Sequence, residues 1–194
     1  MARPHCITIC LAFGFLGALS QAQSLPAIHI LFTELNQPKT TDRAAQQILQ
    51  IATKDSAARE YVTQRLPGMI DRPNTNKVWL NAVRLAGQLR ASEAIPSLQR
   101  ALARGPVGGL MAYSMTREIQ LDDDLVAKAL SEIGEAAIPT VSTLLRSEDR
   151  KARRRAVLIL RNMDTPAARR VLQDRLSDET DTRIKELIET CLRS

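Results

Sequence analysis

Apolar residues recur along much of this chain at spacings of three and four positions, which is the stripe of an amphipathic helix. The stripe is clearest in three segments: Ala82, Leu85, Ala86 and Leu89; Val126, Ala129, Leu130 and Ile133; and Ala156, Ile159, Leu160 and Met163. A second stripe follows each, in Ile95, Leu98 and Leu102, in Ile138, Val141 and Leu145, and between Ala168 and Leu176. The pattern predicts helices that occur in pairs.

The pairs repeat as copies of one unit. Two copies share Ala-Ile-Pro, and alignment of Pro96, Pro139 and Arg170 gives steps of 43 and 31 residues. The longer step contains an insertion, so the underlying period is near 31 residues. Because neither helix of a pair can bury its stripe alone, successive pairs must stack. We therefore expect an all-α fold, an α-solenoid of stacked antiparallel helix pairs.

Residues at the expected helix ends agree with this interpretation. Pro96 and Pro139 fall in the first turn of a second helix, where a missing N–H is tolerated. Gly134 lies where the first helix of its unit should end. The run Asp122–Asp124 precedes a helix and suits its N-terminus. Alanines on the first helices allow neighbouring helices to approach closely.

The repeats define the organisation of the chain. We expect a solenoid over residues 42–194, with units at about 42–70, 76–104, 121–147 and 149–177, a closing helix at 182–192 and an insertion at 105–120. Residues 23–41 form a leader that fits no unit. Within the leader, Ile28 to Leu35 is compatible with a short strand or with a helix, and the pattern does not choose between them.

The pattern Ala-x-x-Leu-x-x-Ile-Gly…Ala-Ile-Pro, seen best from Ala127 to Val141, resembles the HEAT-repeat family. Within that family it is similar to the short bacterial repeats related to phycobilisome lyases. The resemblance covers roughly Asn76 to Ser194. It implies a superhelix whose second helices line the concave side and bind another protein. It also leaves an alternative, a bilin-lyase-like enzyme or an enzyme accessory.

The first 22 residues have the pattern of a secretory signal peptide. Arg3 precedes an uncharged apolar run from Cys6 to Leu19, and Ser20-Gln21-Ala22 places small residues where a signal peptidase cuts. We expect cleavage before Gln23 and export to the periplasm or the extracellular space. An uncleaved anchor or a buried helix is the alternative.

Composition and charge narrow the class of protein. With 44% hydrophobic residues, 8 Gly, 9 Pro and 3 Cys, the chain is neither disordered, collagen-like nor a disulfide scaffold. The formal charge of +6 falls by one on cleavage, because Arg3 is lost. Cleavage also leaves Cys191 as the one cysteine, so no internal disulfide can form. Cys191 is then either a small buried side chain or a free thiol.

The sequence offers little catalytic chemistry. His29 is the one histidine after the signal segment, and it lies at the opposite end of the chain from Cys191. These two residues supply neither a metal cluster nor a cysteine–histidine pair. Gly105–Gly109 lacks the Lys-Ser/Thr of a phosphate loop. We interpret Asp122–Asp124 and Ser177–Asp181 as helix caps rather than cation sites. We expect no enzyme activity, no cofactor and no bound metal.

A group of basic residues crowds the fourth unit. Arg150, Arg154 and Arg161 fall within about 40 degrees on one helix face at 100 degrees per residue. The sequence leaves open a solvated face, partly offset by Glu148, Asp149, Asp174, Asp178 and Glu179, and a surface for an acidic protein or an anionic membrane. Nucleic acid fits poorly, because the region lacks aromatic residues for base stacking and the chain is expected to leave the cell interior. Any membrane contact would be peripheral and not spanning.

Polar positions of the second helices form the predicted binding surface for another protein. They align between units as Gln99, Ser142 and Gln173, as Arg100, Thr143 and Asp174, and as Arg146 one turn later. In the insertion, we expect Met111 and Tyr113 either to contact a partner or to fold back and cover the edge of the repeats. We interpret the protein as an exported scaffold or adaptor. A structural part of a larger envelope assembly stays open, and the oligomeric state is left undetermined.

Overall fold

The computed structural model describes residues 25–72, 77–103 and 124–193. The expected signal peptide at 1–22 and the insertion at 105–120, with Met111 and Tyr113, lie outside these residues. The described helices are α1 (25–35), α2 (Thr41–Ala52), α3 (Ser56–Thr63), α4 (Leu66–Ile70), α5 (Lys77–Gln88), α6 (Ile95–Ala103), α7 (Leu125–Ile133), α8 (Ile138–Leu145), α9 (Arg150–Met163), α10 (Pro166–Asp178) and α11 (Thr182–Arg193). Short 3-10 turns, Ser92–Ala94 and Glu135–Ala137, precede α6 and α8.

The helices stack as two layers. The first helices form one continuous row in which α2 packs on α5, α5 on α7, α7 on α9 and α9 on α11. In the second layer, α4 packs on α6 and α8 on α10. Because each pair contacts the next, the described residues form an all-α solenoid of antiparallel helix pairs, and the predicted fold class is confirmed. No described helix combines the length and the apolar character that crossing a membrane requires.

The predicted stripes form the core. The apolar positions of the first helices are buried throughout, apart from Met163, which is half-buried. Those of the second helices are buried too, apart from the half-buried Ile138, Val171 and Leu176. The closing helix α11 turns Ile184, Ile188 and Cys191 inward. The thiol of Cys191 is therefore a buried small side chain, and burial raises its pKa against the opposing charge of Arg161.

The leader is a helix rather than a strand. Residues 25–35 form α1, which buries Ile28 and Leu35. It is tied to α3 by a 2.9 Å hydrogen bond between the Tyr61 hydroxyl and His29 Nδ1. The only large apolar side chain that the described chain leaves fully outside the core is Ile30, which is 64% exposed. The leader therefore covers the first end of the stack.

The second helix of the first unit is split into α3 and α4. Pro67 lies in the first turn of α4, where it lacks the N–H that a continuous helix would need for its hydrogen bond to residue 63. The chain instead turns at residues 64–65. Ala58, Val62 and Leu66, which recur every four residues along this segment, are nevertheless all buried. The split changes the direction of the helix without changing which face is apolar.

The helix ends follow the sequence signals. Asp124 caps α7 by accepting a 3.2 Å hydrogen bond from the Ala127 N–H. Gly134 ends α7 with φ 84° and ψ −144°, a region that side chains with a Cβ rarely adopt. Pro139 lies in the first turn of α8 as expected. These caps fix where each first helix stops and its partner begins.

The first-layer helices α5 and α7 meet at a glycine. A Cβ placed on Gly87 would lie 2.9 Å from the Ala129 Cα and would also meet the Glu132 carboxylate. The half-buried Glu132 has its pKa raised by desolvation, with a smaller opposing effect of Lys128. The absence of a side chain at Gly87 therefore sets how closely two successive units approach.

Candidate interaction surface

The predicted second-helix row lies on the surface of α6, α8 and α10. Its exposed members are Arg100, Thr143, Arg146, Gln173 and Asp174, while Gln99 and Ser142 are half-buried. The apolar residues beneath this row, such as Leu98, Val141 and Leu172, are buried. The fold thus exposes the same polar positions in three units, as the alignment of the sequence implies.

Two members of the row are engaged within the protein. The guanidinium of Arg100 forms a bidentate ion pair with Asp71, which follows α4, at 2.8 and 2.9 Å from Nη2. The hydrogen bond with Asp71 raises the pKa of Arg100. The hydroxyl of Thr143 donates to the Thr140 carbonyl at 2.7 Å. Arg100 therefore connects two units, and much of its charge is already balanced.

The basic residues of the fourth unit separate into paired and unpaired groups. Arg153, Arg155, Arg169 and Arg175 form ion pairs with carboxylates. By contrast, Arg150, Arg154 and Arg161 form no ion pair or hydrogen bond with the described residues through their side chains. All of these residues fall within the fourth unit of the sequence, and the structure divides them by the partners that they have.

Arg155 joins three units through buried contacts. Its Nε donates to Asp124 Oδ2 at 2.6 Å, and its Nη1 donates to the Leu102 carbonyl at the end of α6, also at 2.6 Å. The side chains of Arg155 and Asp124 are only 14% and 2% exposed. Asp124 thus caps α7 and anchors α9 at the same time. This ion pair is structural and leaves little of Arg155 for a partner.

Arg153 organises the junction of α9, α10 and α11. Its side chain lies 3.2 Å from Glu179 and 3.7 Å from Asp181, and it donates to the carbonyls of Ser147 and Glu148. Glu179 also accepts from Arg175 at 2.9 Å. Burial raises the pKa of Glu179, but the Asp181 N–H, the bond from Arg175 and the charges of Arg175 and Arg153 together lower it below its ordinary value.

The acidic residues that pair with the basic residues of the fourth unit are only partly those that the sequence suggested. Of the five acidic residues near the basic group, Glu179 forms ion pairs, and Asp149 caps α9 by accepting from the Lys151 N–H. Asp124 and Asp181 supply the other buried partners. Asp124 lies 31 residues before Arg155, which is one repeat period. That spacing was the signal in the sequence that could have identified the pair.

An open cavity of about 290 Å³ lies between α3 and the turn that joins α5 to α6. Its charged lining includes Arg59, Glu60, Arg90 and Glu93. Arg59 is held there by a 2.6 Å hydrogen bond to the Leu89 carbonyl. The described residues contain no group of three or more His, Cys, Asp or Glu side chains arranged to hold a metal ion.

Comparison with known proteins finds a family that part of the chain resembles. Residues 123–193, from the start of α7 to the end of α11, match the family of HEAT repeats. The comparison with curated proteins gives no match. The matched segment supports the HEAT-repeat resemblance, and α2 to α6 continue the same stacked architecture towards the N-terminus.

Proposed function

We propose that this protein is an exported, non-catalytic HEAT-repeat scaffold that holds another protein against its second helices. The observation that carries the proposal is the polar row of α6, α8 and α10. Three units expose equivalent positions there, above a buried apolar stripe. HEAT repeats commonly mediate protein–protein contact, and a mixed polar row suits a protein surface better than an apolar ligand.

The binding surface is tested by substituting Arg100, Thr143 and Arg146 together with alanine. We expect the variant to fold and to capture less of its partner in a pull-down from the native compartment. Because Arg100 pairs with Asp71, the matched control is Asp71→Ala, which breaks that ion pair but keeps the row. Equal capture by the triple variant and the native protein would remove the second helices from the proposal.

The partner itself is identified by site-specific photo-crosslinking. A crosslinking residue at position 143 or 174 should give one discrete adduct, which mass spectrometry identifies. The same residue at position 84, exposed on the first-layer helix α5, should not give that adduct. An adduct obtained equally from all three positions would mean that the contact is not specific to the row.

Export is tested separately. Residues 1–22 should direct the chain out of the cytoplasm, so cell fractionation should find the protein outside it. N-terminal sequencing of the recovered protein should begin at Gln23. A protein recovered from the cytoplasm with an intact N-terminus would contradict export without affecting the proposal for the second helices.

The alternative function is an enzyme or enzyme accessory, similar to the bilin-lyase relatives of these repeats. The open, charged cavity beside α3 is the observation that favours it. A titration with an open-chain tetrapyrrole distinguishes the two functions through the absorbance of the pigment. A spectral shift that Glu60→Ala and Glu93→Ala abolish would favour the enzyme, and an unchanged spectrum would favour the scaffold.

A further inference from the structure

The outer face of α9 carries a strip of cationic side chains around one apolar residue. Arg150, Arg154 and Arg161 lie within about 40 degrees of each other around the helix axis. Leu158 lies between Arg154 and Arg161 along the chain, is half-buried, and is not among the apolar residues that pack on the core. Arg150 and Arg161 are exposed, and Arg154 is half-buried. These four residues are called the arginine strip. The buried residues Ala156, Ile159 and Leu160 occupy other sides of the helix, and the buried Val157 lies at the edge of the strip, about 20 degrees from Arg150.

The arginines of the strip form no ion pair or hydrogen bond with described residues through their side chains, although the charge of Arg161 acts on buried Cys191. Arg153 and Arg155, on the same helix, are engaged in buried ion pairs with neighbouring units. The strip arginines make no such contact with described residues, although Arg150 and Arg154 are four residues apart, where like charges repel. Three adjacent positive charges, two of them exposed and one half-buried, therefore remain without an ion-pair partner among the described residues, beside a half-buried leucine.

We propose that the arginine strip binds a short, extended, acidic segment of a partner protein. Arg150 and Arg161 are separated by about 16 Å along the helix axis, which an extended chain covers with about five residues. Guanidinium groups pair with carboxylates in bidentate geometry, so acidic residues of the segment would lie over the three arginines. An apolar residue in the middle of the segment would cover Leu158.

The surroundings favour a narrow segment over an anionic membrane. An anionic bilayer binds a surface helix through exposed apolar side chains as well as through charge. Helix α9 exposes no large apolar side chain, because its Leu158 is half-buried, whereas a single acidic chain can pair with the arginines without one. A nucleic acid would also find no aromatic stacking partner among the described residues near the strip, because the described aromatic residues Phe32, Tyr61 and Trp79 belong to the N-terminal half of the stack.

This surface is distinct from the second-helix row. The arginine strip belongs to the first layer, and the row belongs to α6, α8 and α10. The proposal therefore adds a second binding surface and names the chemistry of what it binds. A negative result at one surface leaves the other untouched.

Fluorescence anisotropy with a labelled glutamate-rich peptide tests the proposal. The peptide has about eight residues, enough to span the strip when extended, and a leucine at its centre. The strip variant is Arg150→Gln, Arg154→Gln and Arg161→Gln together. The control variant removes the same charge from exposed positions elsewhere, by Lys39→Gln, Lys54→Gln and Arg72→Gln. Circular dichroism establishes that both variants fold, since glutamine is as good a helix former as arginine.

We expect the native protein and the control variant to bind the peptide with equal affinity. The strip variant should lose at least about tenfold in affinity. Binding should weaken as salt rises, because surface charges are screened. Leu158→Ala should weaken binding of the leucine-containing peptide but not of a peptide made of glutamate alone.

Three outcomes would overturn the proposal. One is no binding of the peptide by the native protein. Another is an equal loss in the strip and control variants, which would show attraction by net charge alone. In the third, the native protein binds phosphatidylglycerol vesicles or duplex DNA but not the peptide, and the strip variant no longer binds the vesicles or the DNA.

Discussion

At the scale of single residues, the ion pairs between units matter more than the total charge. Arg155 and Asp124 are nearly inaccessible to solvent, and each also contacts a helix end. A buried charge that loses its partner stays desolvated without compensation. Exposed pairs such as Arg169 with Asp164 lack this property and contribute little to stability.

Removal of Arg155 should therefore destabilise the stack strongly. We expect Arg155→Met to lower the free energy of unfolding by about 3–5 kcal/mol, because Asp124 would be left buried without its partner. Urea denaturation followed by circular dichroism measures the change. The control Arg154→Met removes a guanidinium that has no partner among the described residues and should change stability by about 0.5 kcal/mol or less. Equal effects of the two substitutions would contradict the structural role of Arg155.

The pKa of Glu179 predicts how stability depends on pH. Since its folded pKa lies below the ordinary value of 4.5, ionised Glu179 stabilises the fold above that value. This contribution is lost as the pH falls through the folded pKa, when the carboxylate becomes protonated. Denaturation between neutral and acidic pH should show this loss in the native protein, whereas Glu179→Gln should be less stable at neutral pH and show a smaller loss on acidification. An unchanged pH dependence in Glu179→Gln would contradict the assignment, and Glu186→Gln controls for the removal of one carboxylate.

At the scale of helices, intrinsic helix propensity favours alanine over glycine, whereas close packing between two helices can require glycine. A Cβ added at Gly68 in α4 would have no atom within 4 Å, whereas a Cβ added at Gly87 in α5 would press against the backbone of α7. Both glycines are helical, so both would gain from replacement by alanine in an isolated helix. Only packing between units distinguishes them.

The two glycines form a matched pair of variants. Gly68→Ala should stabilise the protein by about 0.5–1 kcal/mol, because alanine favours the helix and meets no neighbour. Gly87→Ala should destabilise it by about 1–3 kcal/mol through overpacking against Ala129. Thermal unfolding monitored by circular dichroism gives both changes. Stabilisation by Gly87→Ala would mean that α5 and α7 can separate freely.

At the scale of the whole molecule, both ends of the stack are covered. Helix α1 buries Ile28 and Leu35 at one end, and α11 buries Ile184, Ile188 and Cys191 at the other while exposing charged residues. Repeat proteins need such terminal units, because an uncovered repeat would expose its apolar face to water.

Deletion of α11 tests the need for a cover. A chain that ends at Asp181 would uncover the side of α9 and α10 on which α11 packs. We expect a lower unfolding temperature and self-association, measured by size-exclusion chromatography with light scattering. Cys191→Ala, which keeps the helix, should remain in the same oligomeric state as the native protein. A truncated chain that matches the native protein in both measurements would show that α11 is dispensable.

Much of this architecture could be predicted from the sequence alone, because its determinants are local. The spacing of Leu85 and Leu89, the proline at 139 and the glycine at 134 act within one or two helical turns, and each predicted its element. The choice between strand and helix for Ile28 to Leu35 could not be made, since that segment fits no repeat. The structure shows this segment as helix α1, which packs against α3 through His29 and Tyr61.

The roles of the charged residues came from the tertiary structure. The sequence determined that helix pairs recur about every 31 residues, which residues form the core and which polar positions align. It did not determine that Arg155 is structural or that Arg154 has no described partner, because the two lie side by side on one helix. An ion pair depends on which carboxylate reaches the guanidinium, and residues one repeat apart meet only when the units have stacked.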